Sequence, residues 1–215
     1  MKGLMLAVCA LCRAPCRATL CAPCRHDLSK LDSPARCPQC ATPTPQGEHC
    51  GKCLRKPPHF DRTVVALNYL PPLTLLIKDF KFYGKWQLAA LLADTARPPT
   101  ADVMIPTPLY PARERWRGFN QARELARALP PPTPPLFAAG LRRIKDTPPQ
   151  SELPNATARR DNVRDAFAAA SVKGTVLVVD DVMTTGSTLN EIAGVLKKAG
   201  AAAVINLVIA RTIWE

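Results

Sequence analysis

No stretch of this 215-residue chain approaches the 18 or so consecutive apolar residues of a membrane span. Neither G-x-x-x-x-G-K-[ST] nor G-x-G-x-x-G occurs, which removes the usual sequence support for ATP or dinucleotide binding. Cysteine is absent after residue 53, and aromatic residues are absent before residue 59. The second absence argues against a base-stacking platform in the N-terminal part. No nucleophile–base triad is evident, and the recurring Cys-x-x-Cys is the one internal repeat. The start, Met1–Cys9, has too short an apolar stretch for a lipoprotein signal, and Val8 is a poor cleavage-site residue. A cytoplasmic location is therefore expected, where thiols stay reduced.

What is present suits a folded protein: 47% hydrophobic and 21% charged residues. The formal charge of +12 suggests polyanionic partners. If eight cysteines held two Zn²⁺ as thiolates, the charge would fall to about +8. Composition divides the chain into a Cys- and Pro-rich module (1–58) and an α/β domain (59–215), the latter interrupted by Pro130–Pro135. That interruption reads as a stiff surface connection.

Strands are predicted at Thr63–Tyr69, Asp102–Ile105, Thr175–Asp180 and Ala203–Ala210, with a short strand or turn near Phe167–Ser171. Helices are predicted at Pro72–Phe80, Lys85–Thr95, Gly118–Leu129, Ala156–Asp165 and Thr188–Ala199. In the last, Leu189, Ile192, Ala193, Leu196 and Ala199 share a face. Thr188 with Glu191 reads as a capping box, and Gly200 as the stop. Alternating strands and helices imply a parallel sheet flanked by helices.

The apolar run Val176–Val179 reads as a central strand that delivers Asp180 and Asp181 to the carboxyl edge, where ligands sit in open α/β sheets. Thr184, Thr185, Gly186, Ser187 and Thr188 then open a helix. Its free N–H groups, the dipole and the hydroxyls make a phosphate site without lysine, and Gly186 permits close approach. The two carboxylates would repel that phosphate, but they can accept from vicinal hydroxyls and hold Mg²⁺ through water. Phosphate, diol and Mg²⁺ side by side describe a ribose 5-phosphate ligand. Val176–Thr188 also resembles the 5-phosphoribosyl 1-pyrophosphate (PRPP) signature of type I phosphoribosyltransferases. That resemblance implies Asp180 and Asp181 on the ribose hydroxyls and Thr184–Thr188 on the 5-phosphate.

Pro106, Pro108 and Leu109 follow the second strand, and then come Arg113, Arg117, Gly118, Phe119, Asn120 and Gln121. Arginine forks at a strand end suit a pyrophosphate. Together with Ile77-Lys78, Lys81-Phe82 and a second block (Arg143, Thr147, Gln150, Leu153, Arg159, Asn162, Val163, Ala166, Phe167), these residues resemble the ComF/GntX family over essentially the whole chain. The resemblance implies a type I phosphoribosyltransferase-like fold with a zinc ribbon. It places Arg113, Arg117, Asn120 and Gln121 at the pyrophosphate and Arg143, Thr147, Gln150, Arg159 and Asn162 in a hood. Read physically, Arg142–Arg164 is a polar, basic loop able to order over an anion.

Four Cys-x-x-Cys pairs within 45 residues point to metal, since each pair aims two thiolates at one ion. Sequential pairing gives Cys9, Cys12, Cys21, Cys24 and Cys37, Cys40, Cys50, Cys53, most simply with a Zn²⁺ each. A cross-braced arrangement, first pair with third and second with fourth, fits the spacing equally. Full Cys₄ shells are closed, which makes the zinc structural. Cys16 is left over.

Two functions stand open. One, implied by the family, is a PRPP-binding protein serving natural competence through single-stranded DNA or DNA-uptake proteins. The other is an active phosphoribosyltransferase on an unidentified acceptor in nucleotide-related metabolism. No catalytic residue is assignable. Glu215 lies four residues after Arg211 of the last strand, with Ile213 and Trp214 between them, so residues 57–82 or the zinc module are expected to furnish any acceptor pocket. Ordinary purine or orotate salvage is not expected.

Overall fold

The computed structural model describes residues 7–32, 35–137, 140–150 and 153–213. The Cys-rich segment contains β1 (Ala7–Val8), β2 (Pro15–Cys16), α1 (Ala22–Ser29) and α2 (Gly51–Arg55). Next come β3 (Arg62–Asn68), α3 (Leu73–Phe82), α4 (Leu88–Ala93), β4 (Val103–Pro106), α5 (Pro111–Arg117) and α6 (Gln121–Ala128). The chain continues through β5 (Leu141–Arg143), α7 (Ala156–Val163), β6 (Phe167–Ala169), β7 (Thr175–Met183), α8 (Ser187–Lys198) and β8 (Ala203–Arg211).

Four of these strands form the expected parallel sheet, in the order β3-β8-β7-β4. Alternation along β7 builds two cores. Leu177 and Val179 join α3, α4 and α6, while Val176 and Val178 join α8 and Phe167. On α8, Leu189, Ile192 and Leu196 are at most 1% exposed. Burying each stabilises by about 1.5–3 kcal/mol relative to exposure, and Leu196→Ala would cost about 2–5 kcal/mol.

Both sheet edges are covered. On the β3 edge, the carbonyls of Leu31 and Pro38 accept from Asn68 N–H (2.8 Å) and Thr63 N–H (3.5 Å). On the β4 edge, Met104 N–H donates to Pro135 O and Phe137 N–H to Met104 O, both at 2.8 Å. The Pro-rich connection thus leads into an edge cover. The Cys-rich segment enters both cores: Cys9, Leu20 and Leu28 lie with Leu73 and Phe80, whereas Cys37, Cys40 and Cys53 lie with Phe60 and Val208.

Several local readings change. The predicted helix Gly118–Leu129 is α6 alone, preceded by α5, which buries no residue and so leaves no apolar periodicity in the sequence. Gly118, at φ 83°, ends α5 in the left-handed region. Of Lys85–Thr95 only Leu88–Ala93 is α-helical. The Thr188–Glu191 capping box does not form, because Gly186 (φ 78°) caps α8 and Thr188 lies inside its first turn. Glu191 Oε1 instead accepts from Asp165 N–H at 2.8 Å. Gly200 does close α8. The N–H groups of Ala201 and Gly200 reach the carbonyls of Leu196 and Lys197, both at 3.1 Å, in a Schellman arrangement.

Candidate functional site

Strand β7 runs past Asp180 to Met183, carrying both carboxylates at the carboxyl end of the sheet. Asp180 Oδ1 accepts from Asp181 N–H (2.9 Å), and Asp181 Oδ1 from Val182 N–H (2.7 Å). Lys81 Nζ lies 2.9 Å from Asp181 Oδ2. Burial, then the neighbouring Asp181 charge, push the Asp180 carboxyl up to about 7, with Lys81 opposing.

After β7 the chain turns through Thr184 and Thr185 to Gly186, the glycine cap of α8. A side chain here would be strained by the positive φ, and its Cβ would stand 2.6 Å from Met183 Cε. Thr185 Oγ1 accepts from Ser187 N–H (3.3 Å) and pairs with Ser187 Oγ (2.9 Å), which shapes the turn. The N–H groups of the first α8 turn have no intrahelical carbonyl, so the α8 N-terminus is an anion receptor in geometry and dipole.

Basic side chains reach this point from four elements, with Lys81 on α3 and Arg159 on α7 joining those of α5 and β5. Arg113 and Arg117 come from α5. Arg113 donates to Thr147 O (2.8 Å), and Arg117 donates to Gln121 Oε1 (2.9 Å) while stacking 5.5 Å over the Phe82 ring. Asn120 caps α6 by accepting from Arg123 N–H (3.1 Å) and donates to Thr107 O (3.1 Å), so its amide ties α6 to the end of β4. Arg143 comes from β5, over Phe167 of β6. Gln150 donates to Thr188 Oγ1 (3.3 Å) and to Arg159 O (3.0 Å), which lays the 143–164 segment over the α8 N-terminus.

Together these elements line one cavity of about 430 Å³. It gathers Asp180, Asp181 and Thr184–Thr188 with Arg113, Arg117, Asn120, Gln121, Arg143, Gln150 and Arg159. Thr147 and Asn162 stand behind the wall. Thr147 accepts from Arg113 and Arg143, and Asn162 donates to Pro148 O (3.1 Å). Sequence reasoning on residues alone missed Lys81, Tyr69, Phe82 and Thr107 as lining groups. Of these, Lys81-Phe82 carried a signal in the family block. Of the two regions expected to furnish an acceptor wall, 57–82 contributes Tyr69, Lys81 and Phe82, and among the described residues the Cys-rich segment contributes none.

Five cations (Lys81, Arg113, Arg117, Arg143, Arg159) face two carboxylates in this cavity. Burial lowers Arg117 and Arg143, with Asp181 raising the first and Asp180 among the groups raising the second. Seven buried polar atoms of the lining lack a protein partner: Thr107 Oγ1, Arg117 Nε, Gln121 Nε2, Arg143 Nε, Gln150 Oε1, Arg159 Nε and Thr212 Oγ1. Five cations and the free N–H groups at the head of α8 make the cavity suit a ligand rich in acceptor oxygens.

The cysteines meet sequentially. Cys9, Cys12, Cys21 and Cys24 form one cluster and Cys37, Cys40, Cys50 and Cys53 the other, with all sulfurs in each within 4.8 Å of one another. The Cys12–Cys21 and Cys40–Cys50 sulfurs are 3.6 and 3.5 Å apart. That is close to the edge of about 3.8 Å that a Zn–S bond of about 2.3 Å gives a tetrahedron. Both clusters fit structural zinc, which would cross-link each segment with no open coordination position. Burial raises the Cys40 thiol, but the Thr42 hydroxyl and N–H outweigh it and bring it down to about 7. Cys16 stands outside, its Sγ donating to Ala18 O at 2.8 Å.

Residues 4–54 match the double zinc ribbon domain and residues 116–213 the phosphoribosyl transferase domain. The chain is 37% identical over 173 residues to Competence protein F of Haemophilus influenzae, spanning 71% of this chain and 74% of the relative. It is 35% identical over 224 residues to DNA utilization protein YhgH of Salmonella typhimurium, spanning 96% and 97% respectively. A solved structure described as the allosteric regulatory enzyme of purine biosynthesis aligns at a TM-score of 0.37 and 24% identity. That match covers 58% of this chain and 25% of the other, a likeness too slight to bear on the fold. No helix among the described residues is long and apolar enough to cross a membrane.

Proposed function

The chain belongs to the ComF-type family of competence and DNA-utilization proteins, and from that premise we propose that it binds PRPP and serves the uptake of transforming DNA. One observation carries the ligand reading: five cations line a single cavity with the hydroxyl-rich α8 N-terminus, Asp180 and Asp181. In this reading Thr184–Thr188 and the first turn of α8 hold the 5-phosphate. Asp180 and Asp181 accept from the ribose hydroxyls. Arg113 and Arg117, with Gln121, receive the pyrophosphate, and Asn120 fixes their helices. Arg143, Gln150 and Arg159 close the hood, braced by Thr147 and Asn162, and exclude water. Mg²⁺, when bound with the ligand, would offset charge on the pyrophosphate.

Calorimetry of PRPP against wild type and Asp180→Ala/Asp181→Ala, with and without Mg²⁺, tests the site. We expect micromolar binding by wild type and at least a tenfold loss in the variant. Equal affinity would remove the proposed site. A salt series with single-stranded DNA tests the DNA arm. Affinity should fall steeply with salt if phosphate contacts carry it.

A second reading, transfer to an acceptor, draws support from the partly apolar wall of Tyr69, Phe82 and Leu109 beside the carboxylates. There the C1–O bond to pyrophosphate breaks with the electron pair leaving on oxygen. The acceptor's lone pair forms the new bond at C1, and the acceptor's proton passes to solvent. Pyrophosphate release dependent on an added acceptor would support it.

A further inference from the structure

Arg211, the last residue of β8, is 5% exposed and donates to five neutral oxygens of the described residues. On one side Nε donates to Cys40 O (3.1 Å) and Nη2 to Thr42 Oγ1 (3.1 Å). On the other side Nη1 donates to Met183 O (3.2 Å), to Thr184 O and to Thr212 O (2.7 Å). One buried guanidinium therefore joins the second Cys cluster to the turn that opens α8.

The contacts on the cysteine side belong to the metal-gripping turn itself. Cys37 N–H donates to Thr42 O and Ala41 N–H to Cys37 O, both at 2.8 Å, and Cys40 Sγ to Thr42 Oγ1 at 3.3 Å. This winding puts Ala41 at φ 54°, a left-handed conformation that persists only where the surroundings hold it. A second guanidinium, Arg36, donates to Ala41 O (3.3 Å) and Asn68 Oδ1 (3.0 Å), with Asp32 4.0 Å away. Arg211, buried and with no carboxylate partner among the described residues, calls for an anion. A zinc tetrathiolate, with about two net negative charges, is one.

We propose that zinc in the second cluster sets the geometry of the Met183–Gly186 turn through Arg211, so that metal occupancy and anion binding at the head of α8 are energetically linked. With metal bound, the Cys40–Thr42 turn is rigid and anionic and holds the guanidinium, which in turn fixes the carbonyls of Met183 and Thr184. Without it, both the charge and the rigid carbonyl are lost, and the turn that presents the α8 N–H groups loosens. The first cluster sits in the opposite core, and among the described residues no hydrogen bond joins its cysteines to the turn that opens α8. Linkage is reciprocal: whatever factor zinc adds to ligand affinity, ligand must add to zinc affinity. The ligand half of this inference rests on the PRPP reading above.

The test follows zinc release from the zinc-loaded full chain to a colorimetric chelator. Cysteine alkylation and mass spectrometry assign which cluster empties, with and without saturating PRPP. The expected result is at least fivefold slower loss from Cys37, Cys40, Cys50 and Cys53 with PRPP, and unchanged loss from Cys9, Cys12, Cys21 and Cys24. Arg211→Lys should bring the ratio below twofold, and the milder Thr42→Val should give an intermediate value. Equal release with and without PRPP, in wild type that binds PRPP, overturns the proposal. If wild type does not bind PRPP, the ligand reading fails separately and amide hydrogen exchange decides the linkage. Emptying the second cluster must then speed exchange over residues 183–187 while α6 stays protected. Unchanged exchange there, in protein with native circular dichroism, also overturns it.

Discussion

Lys81 Nζ stands 2.9 Å from Asp181 Oδ2, an ion pair between α3 and the end of β7 whose side chains are 24% and 8% exposed. It is the one direct ion pair made by either site carboxylate among the described residues. It stands between an exposed pair, worth 0–1 kcal/mol, and a buried one, whose breakage costs 3–5 kcal/mol.

Lys81→Met should therefore destabilise the ligand-free protein by about 1–3 kcal/mol at pH 8. The double variant Lys81→Met/Asp181→Asn should recover much of that loss, because it strands no charge at position 181 and relieves the repulsion on Asp180. Urea denaturation of the four proteins measures the coupling. Additive losses would mean that the pair contributes nothing.

Asp180 holds its proton up to about pH 7 in the folded protein, whereas an unfolded aspartate releases it near pH 4. Between those values the native state binds more protons than the unfolded state. Stability should fall as pH rises from about 4 to about 7 and then level off. Asp180→Asn keeps the acceptor for Asp181 N–H and removes the titration. It should match wild type near pH 4 and melt higher at pH 8, by about 2–4 °C for each kcal/mol of repulsion relieved. Thermal melts without added divalent cations check this. A variant with the wild-type slope would assign the titration elsewhere.

Gly186→Ala imposes a side chain at φ 78°, at a cost of about 1–2 kcal/mol. Crowding against Met183 Cε adds less, since that methyl can move. The larger effect should fall on PRPP, with affinity down at least tenfold while the variant stays folded. Calorimetry alongside a melting curve separates the two effects.

Elemental analysis should find two zinc ions per chain, and Cys9→Ser/Cys21→Ser should retain one. A cross-braced arrangement would lose both, since those residues would then serve different ions. Because Cys9 and Cys37 are fully buried in separate cores, losing either ion should lower the melting temperature of the whole chain.

The central strand and its phosphate-type loop were legible because the signals are local. Val176–Val179 is apolar without interruption, and small hydroxyl residues around a glycine follow two acids. Helix α5 was not legible, since it buries nothing and its role is to aim Arg113 and Arg117. Pro111 at its first turn and Gly118 at its end were the only marks it left. The hood's anchor, β5 on β6, has three residues on each side, too few for a period to show.

The sequence by itself determined the chemistry: four metal-gripping pairs, an acid pair, and a hydroxyl-rich helix start, each written in neighbouring residues. Which groups meet was decided only in three dimensions. The spacing of the cysteines allows either pairing. The chain then passes the outer edge of β3 between the second and third pairs, and the two clusters belong to opposite cores. The same burial that separates the clusters brings Cys40 and Thr42 onto Arg211, across 171 and 169 residues of chain, beside Met183 and Thr184. Contacts at that separation arise from sheet order and packing, for which local sequence carries no period.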